Sequence, residues 1–427
     1  MTDESERTRG RARELGVLLF TLLLTACDTE YLQSTIKPVT DYGEISHDLY
    51  VTIFWWSMVI LAVVWGLLAY ILIRFREKPG GDEPKQIHGH MGLEIAWTIA
   101  PALIVVAIVI PTIKGVFQVQ RAPEGDDVLV VEVVGKRYWW SFHYPEQGVT
   151  TANELHLPVG RPVSLRLESG DVIHSFWVPQ IGGKRDVNPV AAVPEGKEEK
   201  RNWMHFTLKE EGVFWGQCAE FCGEAHALMG VRVVARSPEE FEGWVETMKT
   251  PAPTAAAPDT ATPAPSAAGE STALAPDESP QGPPGATDTA GSAQRQDAAG
   301  SSGTGAGSTT PAHATAFASD SLIDRGREVF FQESYCVLCH AIEGTAAAGQ
   351  IGPNLTRMGM RTTLAAGLLE NNPGNLVAWL KDPRGVKPGA QMPGADYPVT
   401  YEGQTFPPTN LSDEQIRALA AYLSSMK

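Results

Sequence analysis

Two thiols, an imidazole and a thioether fall within twelve residues in Cys218-Ala-Glu-Phe-Cys222-Gly-Glu-Ala-His226-Ala-Leu-Met229. Soft sulfur combined with imidazole selects copper or, failing that, zinc. A second imidazole, His174 in Asp-Val-Ile-His-Ser-Phe-Trp-Val-Pro, lies one or two predicted strands earlier. A sandwich can bring it to the same pole, giving two cysteines, two histidines and a methionine. Three simpler chemistries compete. A disulfide between Cys218 and Cys222 suits an oxidising compartment, yet leaves the spacing of His226 and Met229 unexplained. A structural zinc site would ignore Met229. A single blue-copper ion leaves one thiolate idle. Two bridging thiolates, with one histidine and one weak ligand per metal, fit two coppers better.

A second cysteine pair opens Cys336-Val-Leu-Cys339-His340. This spacing reads as c-type haem attachment, with thioethers from the cysteines and iron ligation by His340; a redox cysteine pair is the competing reading. Haem is favoured by what surrounds it. Gly352-Pro353-Asn354-Leu355 follows, and the Pro353 carbonyl can orient His340 through its other ring nitrogen. Met392-Pro393 sits in a Gly-rich loop before a last helix over 413–426. A methionine as sixth ligand raises the potential. Met358, Met360, Met392 and Met426 are available, and Met392 in Lys-Pro-Gly-Ala-Gln-Met-Pro-Gly is the best placed.

These groups need elements to hold them. Between residues 128 and 236 short alternating runs such as VLVVEVVG, PVSLRLES and MGVRVVA, separated by turns, predict an antiparallel Greek-key sandwich. The copper-type element starts where one strand ends and runs into the next. Upstream, Leu49–Ile73 and Ile95–Ile113 are uncharged runs of 25 and 19 residues, each long enough to cross a bilayer. The loop between them carries Arg74, Arg76, Lys78 and Lys85, which places it in the cytoplasm and everything after residue 115 outside. Before them, four arginines, an apolar run over 15–25 and Ala26-Cys27 read as a secretory signal. Leu-Thr-Ala-Cys resembles a lipoprotein cleavage box, so Cys27 is a lipidation candidate.

Residues 251–316 are almost wholly Ala, Pro, Thr, Ser and Gly with a few acids, a composition that predicts a disordered linker. Its expected end-to-end distance is roughly 45 Å, so it tethers without orienting. The predicted organisation is a signal peptide over 1–26, an N-terminal segment and membrane hairpin over 27–116, an all-β copper domain over 117–248, a linker over 249–316 and an all-α haem domain over 317–427. The net charge of −16 argues against nucleic acid and suits basic diffusible partners.

Residues 45–248 resemble subunit II of cytochrome c oxidase, through Glu94-x-x-Trp97-Thr98-x-x-Pro101, Asp171-x-x-His174-Ser175 and the Cys218–Met229 element. Residues 317–427 resemble a class I cytochrome c, and the whole resembles the fused subunit II of caa(3)-type oxidases. The resemblance implies a cupredoxin-like sandwich holding mixed-valence dinuclear copper, CuA. Its ligands would be His174, Cys218, the main-chain oxygen of Glu220, Cys222, His226 and Met229. It implies that the Glu220 side chain faces a magnesium or manganese ion shared with subunit I, and that Glu94 lies at the mouth of a proton channel. It also implies subunits I and III as partners, a soluble cytochrome c or a quinol:cytochrome c oxidoreductase as donor, and a bacterial cytoplasmic membrane. Two departures stand out. Tyr138, followed by Trp139 and Trp140, replaces the family's usual electron-receiving Trp, and Val187-Asn188-Pro189-Val190 replaces the usual Pro-Gly-Arg continuation. A nitric-oxide reductase with CuA and a non-catalytic copper and haem carrier are the rival functions.

Overall fold

The computed structural model describes residues 31–76, 89–189, 201–250 and 319–427. The predicted signal peptide, Cys27, Lys78, Lys85, Val190 and residues 251–316 of the predicted linker lie outside the described residues.

Helix α1 (Asp41–Arg74) and helix α2 (Met91–Gln120) pack as a hairpin. Both exceed the apolar runs inside them. The extra turns of α1 dock on the sandwich: the Thr40 hydroxyl caps the Gly43 amide at 2.8 Å, and the Asp41 carboxylate accepts from the Thr207 amide at 2.8 Å. Tyr42 lies in the sandwich core, flat against Gly182, where a Cβ would stand 2.6 Å from its ring. The start of the hairpin is therefore packed into the soluble domain. Beyond this junction the apolar side chains of both helices point outward, Trp65 and Leu72 among them, as a lipid-facing surface requires. Pro101 and Pro111 sit inside α2.

The sandwich has two five-stranded sheets. One contains β1 (Leu129–Lys136), β2 (Trp139–Tyr144), β3 (Val149–Ala152), β5 (Pro162–Ser169) and β8 (Asn202–Thr207). The other contains β4 (Glu154–Pro158), β6 (His174–Trp177), β7 (Arg185–Val187), β9 (Gly212–Cys218) and β10 (Gly230–Arg236). Strict alternation in β1 sends Leu129, Val131 and Val133 into the core. The fold departs from the antiparallel expectation in two places: β1 pairs β5, and β4 pairs β10, in parallel. Alternation of apolar and polar residues fixes which face is buried. It is blind to strand direction.

Helix α3 (Pro238–Lys249), capped by Ser237, closes one end of the sandwich with Phe241, Trp244, Val245 and Met248. His156 stacks on Trp244 with ring centroids 4.4 Å apart, and its Nδ1 accepts from Arg236 Nε at 3.1 Å. Burial, then the charges of Arg236 and Arg361, push its pKa down to about 3 from 6.5. The folded state therefore holds the ring neutral while the unfolded chain protonates near 6.5. The associated stability is complete above pH 6.5 and is lost as pH falls toward 3, on the order of 5 kcal/mol at most. We expect thermal unfolding of the complex to show this acid limb, and His156→Phe, which keeps the stack, to flatten it. An unchanged limb in the variant would refute the assignment.

The C-terminal domain has its own apolar core, separate from that of the sandwich. Helix α4 (Asp320–Glu328) crosses the last helix, α7 (Asp413–Ser425), and they meet at Gly326, where a Cβ would come within 2.0 Å of the Ala418 carbonyl. Between them lie the one-turn helix α5 (Cys336–Cys339) and helix α6 (Pro373–Lys381). A capping box at Ser412 and Gln415 starts α7.

Candidate copper and haem centres

The loop between β9 and β10, residues 219–229 with a short 3-10 turn at His226–Leu228, places the Cys218–Met229 element at one pole of the sandwich, and β6, hydrogen-bonded to β9, brings His174 beside it. Cys218 Sγ lies 3.8 Å from Cys222 Sγ, 3.9 Å from His174 Nδ1 and 3.2 Å from the Glu220 main-chain oxygen. Cys222 Sγ lies 3.7 Å from His226 Nδ1 and 3.9 Å from Met229 Sδ. All six positions named from sequence thus converge. The donor atoms of His174, Cys218 and Cys222 lie within 4.8 Å of one another, all three residues buried.

The donor chemistry fits a metal of positive charge. Two buried sulfurs this close share one proton. Hydrogen bonding from Cys222 drives Cys218 down, and the resulting neighbour drives Cys222 up. Soft cations between them would let both ionise. The other face of His174 is already fixed, with Nε2 held 2.8 Å from the Asp171 carboxylate. Asp171 also accepts from the Arg137 and Val172 amides, each at 2.7 Å. Burial would raise Asp171, but His174 and these amides outweigh it and hold the carboxyl below its ordinary range. Such outer partners set the orientation of a ligating imidazole.

The Glu220 side chain leaves the cluster and meets Lys184 at 3.3 Å on the surface. Glu94 lies in the first turn of α2, its carboxylate 3.3 Å from the His90 amide.

In the C-terminal domain, Cys336, Cys339, His340, Met358, Arg361 and Met392 line one cavity. His340 Nδ1 donates to the Pro353 carbonyl at 2.8 Å, so Nε2 is its remaining ligand atom. Burial keeps the ring neutral, as iron ligation requires. A Cβ on Gly352 would lie 2.5 Å from the ring, so only glycine lets the chain pass. Arg361 is half-buried, one of its Nη groups donating to the Asn354 carbonyl, and its Nε is buried without a partner, a feature that an anionic group of a bound cofactor would satisfy. These residues fit haem c. Of the four methionines, Met358 and Met392 line the cavity, whereas Met426 is buried in the core and Met360 is exposed. Met358 belongs to the core, and Met392 sits at its margin.

The same cavity is walled by Arg137, Tyr138, Trp139 and Asn153 of the sandwich. Tyr138 Oη accepts from the Glu224 amide at 3.0 Å, inside the copper-type loop. Trp140 is fully buried, with its ring 6.0 Å from that of His174. Sequence reasoning missed Lys387. It is 3% exposed, and Nζ donates to the Tyr138 carbonyl at 2.8 Å and the Ala365 carbonyl at 3.1 Å. Its local surroundings, Gly-Val-Lys-Pro-Gly, carry no signal of this, because one of its two partners lies in another domain and the other is 22 residues away.

Comparison with known proteins agrees with this layout. Family models for the transmembrane domain of cytochrome c oxidase subunit II, for its periplasmic domain and for cytochrome c match residues 31–114, 145–236 and 323–427. Cytochrome c oxidase subunit 2 of Alkalihalophilus pseudofirmus is 32% identical over 425 residues, 97% of each chain. That of Bacillus subtilis is 32% identical over 429 residues, again 97% of each chain. Quinol oxidase subunit 2 of Bacillus cereus is 33% identical over 244 residues, 56% of this chain and 79% of its own. Similarity along nearly its whole length, across hairpin, copper-type sandwich and haem-type domain, makes this chain a member of the cytochrome c oxidase subunit II family with a C-terminal cytochrome c domain.

Proposed function

We propose that this chain takes electrons at its cytochrome domain and passes them through the sandwich to subunit I, where oxygen is reduced to water with proton translocation. One observation carries this reading. Tyr138 lines the haem-type cavity and is hydrogen-bonded to the loop between Cys222 and His226, so one side chain touches both centres. Bound haem c and dinuclear CuA supply reversible one-electron chemistry.

The residues divide the work. His174, Cys218, Glu220 through its main-chain oxygen, Cys222, His226 and Met229 hold copper, and Asp171 orients His174. Cys336 and Cys339 would attach the haem, and His340 and Met392 would supply ligands to its iron. The Pro353 carbonyl fixes the His340 ring. Tyr138 and Trp139 form the wall between the centres, and Trp140 backs His174. Glu220 directs its carboxylate outward, where a magnesium or manganese ion shared with subunit I would find a hard oxygen ligand. Glu94, at the start of α2, serves as a proton-channel mouth. The hairpin anchors the chain in a bacterial cytoplasmic membrane beside subunits I and III, with both redox domains outside and Cys27 lipidated. We take the limits as 1–26, 27–116, 117–248, 249–316 and 317–427. A soluble cytochrome c or a quinol:cytochrome c oxidoreductase is the external donor.

The test is the purified complex. Two coppers and one haem c per chain, a mixed-valence copper signal and oxygen uptake are expected. Nitric-oxide consumption without oxygen uptake would transfer the chain to a reductase. Absence of any many-spanning haem subunit on purification would leave only an electron carrier.

A further inference from the structure

Glu154 is the first residue of β4, a strand buried throughout, and is itself 2% exposed. A buried carboxylate is costly unless its oxygens are hydrogen-bonded. Its donors come from the cytochrome domain. Oε1 accepts from the Thr362 amide at 2.9 Å, the Thr362 hydroxyl at 2.6 Å, the Thr363 amide at 2.9 Å and the Thr363 hydroxyl at 3.0 Å. Arg232 braces the site from the sandwich side. Its guanidinium lies 4.0 Å from Glu154, stacks 3.9 Å over the Trp215 ring and donates to the Thr362 hydroxyl.

The surrounding contact is close on both sides. A Cβ on Gly230, next to Met229, would fall 2.6 Å from the Ala366 carbonyl. Gly389, at φ +82°, would place a Cβ 2.9 Å from Glu224 and 3.0 Å from the Ala225 amide. Lys136 Nζ donates to the Gln350 carbonyl at 2.6 Å. Backbone meets backbone here, which an encounter surface covered by long side chains does not allow.

We propose that Glu154 is a domain latch: a positioning residue that holds the cytochrome domain in one fixed orientation on the copper loop. Its placement explains the choice. Thr362 and Thr363 follow Arg361 on the rim of the haem-type cavity, and Thr363 itself lines it. Strand β4 pairs with β10, which begins directly after Met229. The latch therefore ties the cavity rim to the strand that leaves the copper site. The linker supplies proximity and Glu154 supplies orientation, so the domain is a docked donor and not a swinging carrier.

The purpose of the latch rests on the electron path proposed above, but docking has its own readout. In the complete oxidase, the Thr362 and Thr363 amides should be protected from hydrogen exchange, and Glu154→Gln should release them. Haem-to-copper transfer after rapid reduction should then slow roughly tenfold or more, the weight of losing charge-assisted hydrogen bonds, with haem and copper potentials unchanged. Thr362→Ala with Thr363→Ala tests the other side of the same contact, and adding Glu154→Gln to that pair should cost little more. Unprotected amides in the native complex, or native transfer rates in both sets of variants, overturn the latch. Protected amides released by Glu154→Gln, in a complex that passes no electrons from haem to copper, would sustain the latch and overturn the electron path.

Discussion

Cys222→Ser will abolish oxygen uptake by the complex while leaving the haem c spectrum of this chain unchanged. Cys222 Sγ has three neighbours among the donor atoms of the proposed copper site. It stands 3.8 Å from Cys218 Sγ, 3.7 Å from His226 Nδ1 and 3.9 Å from Met229 Sδ. Serine offers a hard oxygen with a much higher pKa, which neither bridges two soft ions nor ionises readily. Loss of a partner outside the ligand shell already costs about 10–100-fold in metal affinity or activity. Loss of a bridging ligand should exceed about 100-fold in turnover on the same scale. The cytochrome domain has its own core, so haem attachment should survive and serves as the internal control for folding and export. Copper content, the mixed-valence signal and oxygen uptake are the measurements. Two coppers with a native signal in the variant would overthrow the ligand assignment.

The copper element was legible in sequence because it is local. One loop between two adjacent strands positions Cys218, Cys222, His226 and Met229, so their spacing in the chain already constrains their spacing in the site. The haem attachment was legible for the same reason, through one turn of helix ending at His340. His174 was harder, since its approach depends on the pairing of β6 with β9, and only the motif around it pointed there. Strand direction was legible for most neighbours, which are antiparallel, but not for the parallel pairs β1–β5 and β4–β10. Sequence pattern singled out Met392 among four methionines; the fold adds that Met358 also lines the cavity but is packed into the core, whereas Met392 sits at its margin. Least legible were Glu154 and Lys387. Each looks like an ordinary charged residue within its own segment, and each acquires its role from hydrogen bonds across more than 200 positions of sequence. Local pattern constrains local geometry, whereas a domain interface is set by shapes that two separately folded cores present to each other.

Removing residues 251–427 will leave a sandwich that folds and binds copper but oxidises soluble cytochrome c slowly, down by on the order of 100-fold or more at low donor concentration. The folding half of this expectation rests on the sandwich core, which is complete without the cytochrome domain and is closed at its far end by α3. The kinetic half has two sources. A tether turns a bimolecular encounter into an intramolecular one, with an effective concentration in the millimolar range for short flexible linkers. A free donor must supply that concentration itself. The face it must use is also built for a different guest. Tyr138 stands where the family's electron-receiving Trp is usual, and its carbonyl is occupied by Lys387 of the tethered domain at 2.8 Å. Glu154 and Gly230 are shaped to the Thr362–Ala366 segment. Stripping the domain away exposes a carboxylate and a backbone hollow fitted to that segment, not to the side-chain-covered surface of a diffusible protein. Two measurements separate these sources. If proximity alone is lost, saturating soluble cytochrome c restores native turnover to the truncated enzyme. If orientation is lost too, the maximal rate stays depressed and only the detached domain over 317–427, added at high concentration, restores it. Full turnover by the truncated enzyme at low donor concentration would show that electrons reach copper without the tethered haem, and the cytochrome domain would then have to be explained by some other task.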